Sequence, residues 1–302
     1  MVQVLNQEIN LSMLTDKQIS LFIKREDQIH PFISGNKYRK LKYNVLEAQE
    51  KGATTLLTFG GAYSNHIAAT AYAGKTAGLK TIGVIRGEEL VDQWRQNPTL
   101  RMASEQGMEF KFITRIQYRD KTDNTFIEKL KEAVGPCYII PEGGTNALAV
   151  KGCAEILTSS DKDFDVICSS AGTGGTLAGI IEASDPSQRI LGFPALKGDF
   201  LKKDICKFVT KENWQLITDY HFGGYAKVSE SLVNFINNFK DKTGVPLDPV
   251  YTGKLLYGII DLVQRDYFSP GTKILAIHSG GLQGIQGMNL VLKKKNLPLL
   301  KV

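Results

Sequence analysis

The sequence predicts an α/β fold in which parallel sheets are covered by helices on both faces. Three observations predict it. Short apolar runs of strand character alternate with helix-period stretches almost without interruption from residue 54 onward, the pattern of parallel strands joined by helical crossovers. Several of these runs end in glycine-rich turns, and glycine is in excess at 29 of 302 residues, against an average usage of roughly 7%. At a prior of roughly 150 residues per domain, a chain of this length makes about two domains.

The elements follow in order. The run 54–59 (TTLLTF) is a strand closed by Gly60-Gly61, and a small-residue helix follows in 64–78. Strand 81–87 (TIGVIRG) comes next, then strand 108–114 (MEFKFIT), helix 125–134 and strand 137–144 (CYIIPEGG). Helix 146–160 leads to strand 164–175 (FDVICSSAGTGG), helix 176–184 and strand 189–196 (RILGFPAL). Helices 229–239 and 254–268 precede the strand 273–281 (KILAIHSGG), and helix 282–295 ends in Lys293-Lys294-Lys295. No fixed-period repeat or low-complexity linker interrupts the series.

Composition excludes several classes. A 42% apolar and 23% charged chain is neither disordered nor collagenous. No stretch reaches the roughly 18 apolar residues of a membrane span, so no membrane association is expected. The first ten residues, MVQVLNQEIN, lack the basic-then-apolar layout of a signal peptide, and a cytoplasmic address is expected. Cys137, Cys153, Cys168 and Cys206 show no CxxC spacing, and His30, His66, His221 and His278 stand far apart, so no metal site is expected. The formal charge of +6 is mild. The terminal lysine run reads as a solvated helix end rather than a nucleic-acid patch.

Open α/β sheets bind ligands at the carboxyl ends of their strands, and the unusual residues lie there. After 164–170 come Ala171-Gly172-Thr173-Gly174-Gly175-Thr176 and then a helix. Such a turn exposes successive N–H groups, the helix start adds partial positive charge, and two threonines offer hydroxyls. This reads as a phosphate cradle, with a purely structural turn as the plainer alternative. Neither GxGxxG nor GxxxxGK[ST] occurs, which favours a small phosphorylated cofactor over a nucleotide. Lys37 alone would be a solvated lysine. Beside a phosphate cradle, a desolvated lysine can bind an aldehyde cofactor as a Schiff base, and pyridoxal phosphate needs both parts.

Five motifs occur in order: GNKYRKL (35–41), GGAYSNH (60–66), AGTGGTLAG (171–179), DPVYTGK (248–254) and HSGG (278–281). Together they resemble the tryptophan-synthase-β-like, fold-type II pyridoxal-phosphate enzymes, in the branch that holds D-cysteine desulfhydrase and 1-aminocyclopropane-1-carboxylate deaminase. The resemblance covers nearly the whole chain. It implies two open, twisted, mostly parallel sheets flanked by helices. It also supports a discontinuous organisation: a large cofactor-binding domain from 1–39 plus 150–302, and a small domain from 40–149.

The resemblance implies roles at matching positions. Lys37 would bind the cofactor aldehyde, Asn65 its phenolic oxygen, and Gly172, Thr173, Gly174, Gly175 and Thr176 its phosphate. Ser64, Asn65 and His66 would receive the substrate carboxylate, and Gly143 and Gly144 would line the substrate side. Tyr251 and Tyr225 would stand near the substrate and, with Ser64, join Lys37 in catalysis. For each tyrosine, and for His66, packing is the reading without the family. Thr252 and Ser279 would face the ring nitrogen. Relatives are homodimers, so a homodimer is implied.

The branch's two activities differ at positions filled informatively here. Deaminases resemble YEGK, HLGG and Ser-Asn-Gln; desulfhydrases resemble YTGK, HTGG and Ser-Asn-His. Thr252, Ser279 and His66 side with the desulfhydrase, Ser279 by chemical similarity. Hydroxyls leave the pyridine nitrogen weakly protonated, which suits β-elimination more than the opening of a cyclopropane. The expected reaction is therefore loss of thiol from D-cysteine to give pyruvate, ammonia and sulfide. Ring-opening deamination to 2-oxobutyrate is the runner-up, and a non-catalytic binder of pyridoxal phosphate or a phosphorylated metabolite the reading from another class. Leu282-Gln283-Gly284, the EGGTNALAVKG stretch and a shortened segment from Arg86 to Asn97 depart from the common pattern, which bears on substrate preference.

Overall fold

A computed structural model of the protein describes residues 4–33 and 35–301. The chain opens with β1 (Asn6–Glu8), α1 (Ser12–Asp16), β2 (Ser20–Lys24) and α2 (Asn36–Glu50). Four strand-helix pairs follow: β3 (Thr55–Gly60) and α3 (Asn65–Thr76), β4 (Lys80–Arg86) and α4 (Pro98–Glu105), β5 (Met108–Ile113) and α5 (Asn124–Val134), β6 (Tyr138–Ile140) and α6 (Ala147–Ala154). Then come β7 (Val166–Ala171), α7 (Gly175–Ala183), β8 (Arg189–Pro194), α8 (Phe200–Ile205) and β9 (Trp214–Leu216). The chain continues through α9 (Glu230–Thr243), α10 (Thr252–Gln264), β10 (Lys273–Ile277) and α11 (Gly284–Lys294).

These strands form two sheets. One has six strands in the order β1-β2-β10-β7-β8-β9, and the other four in the order β5-β4-β3-β6. Every pairing is parallel except β1 with β2. The expected α/β class, with mainly parallel sheets and flanking helices, is what the chain adopts. β3 and β7 are buried at all six positions, which is why both read as unbroken runs: each carries side chains into a core on either face. Leu56, Ala69 and Ile140 pack on one side of the smaller sheet and Leu57, Phe59 and Val84 on the other.

Strands β1, β2 and β9 are absent from the sequence reading. β1 and β9 are three residues long and have no buried position, so neither carries an apolar signal. β2 ends in Lys24, whose charge hides its burial. Its Nζ lies 2.7 Å from Asp161 Oδ2, and both side chains are 2% exposed. Helix α2 escapes for the same reason, since it buries Arg39, Lys40 and Asn44. Among the described residues, no helix is long and apolar enough to cross a membrane.

Candidate active site

The loops at the carboxyl ends of β2, β3, β6, β7 and β10 converge around the start of α2. Gly35 opens that helix at φ 59°, and a Cβ there would lie 1.9 Å from the Ser279 carbonyl oxygen. Only glycine permits this approach, which is sealed by the Asn36 N–H donating to the same carbonyl at 3.2 Å. On the far side of α2, a Cβ on Gly152 of α6 would stand 2.0 Å from the Arg39 carbonyl oxygen. Arg39 itself is pinned by Glu26, which accepts from Nε at 3.0 Å and from Nη2 at 2.8 Å. These contacts set the rotation of α2 and hence the direction of Lys37 and Lys40.

Both lysines reach one acceptor. Nζ of Lys37 donates to the Gly143 carbonyl at 3.4 Å, and Nζ of Lys40 donates to it at 3.0 Å. Lys40 also donates to Thr145 Oγ1 at 2.9 Å and Thr173 Oγ1 at 3.3 Å. Burial holds the Lys37 amine well below the ordinary lysine range, and the neighbouring Lys40 lowers it further. Burial brings Lys40 down to about 8. Lys37 is thus a buried amine whose ammonium form is disfavoured and whose contact to its acceptor is long, and Lys40 a saturated one.

The turn after β7 has the form expected of an anion cradle. Gly174 sits at φ 82° as the N-cap of α7, so the N–H groups of the first turn face outward without carbonyl partners. A Cβ on Gly174 would meet Ile205 at 2.9 Å, and one on Gly175 would meet Thr145 at 2.9 Å and Lys40 Nζ at 3.3 Å. Asn36 Nδ2 donates to Thr176 Oγ1 at 2.7 Å, tying the α2 start to the cradle. Gly172 lies under the Tyr251 ring, whose nearest atom would be 3.1 Å from an added Cβ.

The Ser64-Asn65-His66 turn opens α3. Ser64 is its N-cap, its hydroxyl accepting from the Ile67 N–H at 3.4 Å. Asn65 Oδ1 accepts from Gln283 Nε2 at 3.1 Å, which leaves Nδ2 to donate. The His66 imidazole points inward and is 1% exposed. Thr58 donates its hydroxyl proton to the Ile140 carbonyl at 2.8 Å, so it must accept from His66 Nε2 at 2.8 Å. Nδ1 is then bare and buried, without a partner among the described residues. Burial and the two lysines hold the ring neutral. The ring therefore braces β3 against β6 through Thr58.

Tyr251 and Tyr225 meet edge to face with ring centroids 6.2 Å apart. Burial raises both phenols above the ordinary tyrosine value, Tyr251 most strongly. Both are therefore proton donors at neutral pH. Ser279 Oγ lies 3.3 Å from Ser170 Oγ. Thr252 departs from an open hydroxyl: fully buried, it donates to Asp248 Oδ1 at 2.8 Å and accepts from the Asp248 N–H at 2.9 Å. Gly143 and Gly144 sit at φ 67° and 69°, the first with its carbonyl toward the two lysines and the second against the His66 ring.

Sequence reasoning missed Lys40, Asp248 and Lys254. Lys40 had a usable signal, since a residue three positions after Lys37 shares its helix face. Glu142 accepts from the Tyr118 hydroxyl at 2.8 Å and lies 3.4 Å from Lys121 Nζ.

Comparison with known proteins decides the family. The sequence profile described as "Pyridoxal-phosphate dependent enzyme" matches residues 8–280. The chain belongs to this family. A Pyrococcus horikoshii protein named provisionally as a 1-aminocyclopropane-1-carboxylate deaminase is 34% identical over 287 residues, covering 87% of this chain and 85% of the relative. The Arabidopsis thaliana mitochondrial protein named bifunctional D-cysteine desulfhydrase/1-aminocyclopropane-1-carboxylate deaminase is 32% identical, covering 88% and 73%. A crystal structure described as an ACC deaminase homologue superposes with a TM-score of 0.80 at 30% identity, covering 93% of this chain and 90% of that one.

The residues present fit the family's cofactor. The α7 turn can close on a phosphate only because positions 174 and 175 lack a Cβ, and Lys40 stands beside it as a cation. An underbonded amine at Lys37, its ammonium form disfavoured by burial, suits an aldehyde. The protein is a pyridoxal-phosphate-dependent enzyme of the D-cysteine desulfhydrase and 1-aminocyclopropane-1-carboxylate deaminase group.

Proposed function

We propose that within this group the protein is a desulfhydrase-type lyase. It removes the α-proton and the β-thiol of a small amino acid such as D-cysteine, and water completes the conversion to pyruvate, ammonia and sulfide. One observation carries this reading over ring-opening deamination. Neither of the two positions that separate the activities carries a carboxylate: Ser279 offers a hydroxyl, and Thr252 turns its own back onto Asp248. Hydroxyls draw less on a ring proton than a glutamate would, which suits loss of an α-proton followed by a good leaving group.

Pyridoxal phosphate supplies an aldehyde that takes up an amino group and a ring that draws electrons from the bonds at Cα. In this reading Gly172–Thr176 and Lys40 hold its phosphate, Asn65 donates from Nδ2 to its phenolic oxygen, and Ser279 stands at its ring end. Ser64, with the N–H groups of Asn65 and His66 at the α3 N-terminus, receives the substrate carboxylate. Lys37, whose burial disfavours its ammonium form, takes the α-proton. Tyr251, or Tyr225 beside it, keeps its phenolic proton at neutral pH and gives it to the departing sulfur. The reading extends to a homodimer, to a cytoplasmic address, and to two domains made of 40–149 and of 1–39 with 150–302, whose boundaries fall inside α2 and α6.

The test is a side-by-side assay of cofactor-loaded protein with D-cysteine, scored as pyruvate plus sulfide, and with 1-aminocyclopropane-1-carboxylate, scored as 2-oxobutyrate. Turnover of D-cysteine as the better substrate is expected. Activity confined to the cyclopropane substrate would overturn the proposal in favour of the deaminase, the reading that the name of the Pyrococcus relative supports.

A further inference from the structure

Lys254 is a cation in the wrong place by every local rule. It is 2% exposed, and among the described residues no carboxylate lies within ion-pair distance of its Nζ. It occupies the third position of α10, where the positive end of the helix repels a further positive charge. Burial brings it down to about 8, with Asp248 opposing that fall. A methionine would fill similar volume without those costs. What the ammonium does instead is donate to two carbonyls, His221 at 2.8 Å and Gly224 at 2.8 Å.

Those carbonyls belong to one short and strained turn. Phe222 and Ala226 both sit at φ 53°, with Gly223 and Gly224 between them at φ 90° and 118°. Two non-glycine residues with positive φ inside six positions persist only where surrounding contacts over-determine them. The turn carries Tyr225, whose ring meets Tyr251 edge to face. Phe222 anchors the same turn on α10 through Tyr257, with ring centroids 4.9 Å apart.

We propose that Lys254 is a positioning residue, its ammonium clamping the 221–226 turn so that Tyr225 is presented to Tyr251 at the mouth of the active site. The inference rests on the proton-donor role given above to these tyrosines. The clamp itself is a property of the protein before any turnover. Lys254 touches neither substrate nor cofactor; it acts through the two carbonyls.

Hydrogen exchange and kinetics on the holoenzyme test it, comparing wild type with Lys254→Met, Lys254→Gln and Tyr225→Phe. In Lys254→Met, amides of 221–227 are expected to exchange about tenfold faster while those of α10 and β8 keep wild-type rates. Lys254→Gln, which can reach one carbonyl, is expected to fall between, and it carries the exchange test if the methionine variant does not fold. Turnover is expected to drop about as far as in Tyr225→Phe with KM within about twofold, and the double variant to drop no further. Unchanged exchange at 221–227, exchange rising equally through α10, or a double variant with the product of the single losses would each overturn the clamp. Because exchange is read without substrate, a clamp that holds in a protein with no amino-acid turnover would instead count against the proposed function.

Discussion

Lys37 and Lys40, one helical turn apart on α2, converge on a single oxygen, the Gly143 carbonyl, at 3.4 and 3.0 Å. The sharing divides their labour. Lys40 spends its three N–H groups on Gly143, Thr145 and Thr173, whereas Lys37 keeps, among the described residues, the longer contact alone. Replacing Lys37 by Ala is expected to cut turnover of the best amino acid by about 10³-fold or more while the protein still folds. Steady-state pyruvate release checks it, and wild-type turnover in that variant would remove Lys37 from the chemistry.

Lys40→Met should act on affinity rather than on the reaction. Lys40 sets a positive charge beside the cradle and ties Gly143, Thr145 and Thr173 together there, so Kd for pyridoxal phosphate is expected to rise about tenfold or more. Titration of the cofactor followed by absorbance reads it directly. An unchanged Kd would place the phosphate elsewhere.

Lys40 also predicts a pH dependence. Its value in the folded protein is about 8 against 10.5 in the unfolded chain. Below pH 8 both states hold the proton; between 8 and 10.5 the unfolded chain holds more, so stability rises with pH. The whole step is on the order of 3 kcal/mol. Other groups titrate in the same window, so the measurement is the difference between cofactor-free wild type and Lys40→Met in urea unfolding. That difference should change in favour of wild type from pH 8 to 10.5 and be flat below 8.

Glu26 is fully buried and takes both ends of the Arg39 fork. Glu26→Ala leaves the buried guanidinium with only the more distant Glu155, 3.7 Å from Nη1 among the described residues, and is expected to cost about 3 kcal/mol. Because Arg39 sits between the two active-site lysines on α2, cofactor affinity should weaken as well. Denaturant unfolding and cofactor titration on the same variant separate the two effects.

Gly35→Ala puts a methyl 1.9 Å from the Ser279 carbonyl oxygen at φ 59°. The α2 start and the turn after β10 must part, at an expected cost of about 3 kcal/mol or more. Thermal unfolding should show the loss, and cofactor binding should weaken with it. A variant as stable as wild type would mean that the two loops are not pressed together.

How much of this was legible depended on whether a residue's signal was local. β3 and β7 are bare apolar runs ending in glycine, and the GTGGT turn announces a helix start over a cradle. Lys37 and Asn65 stand in motifs that can be matched one position at a time. Lys40 and Lys254 could not be read that way, because a lysine is classed as solvated until its partners are known, and those partners lie 103 and 30–33 positions away. β2 and α2 were masked by the same effect, since Lys24, Arg39 and Asn44 are buried through pairing that no periodicity reports. Thr252 was read as an open hydroxyl because its partner, four residues earlier, becomes one only when the Asp248 turn folds back onto α10.

His66 carries a last consequence. In this chain its ring is tied to Ile140 through Thr58, so the imidazole is a strut between β3 and β6 beneath the Ser64 turn. A histidine-for-glutamine exchange here would alter how that turn is shored up, while the backbone N–H groups that it presents stay the same. A difference at position 66 is, on this geometry, a difference in carpentry.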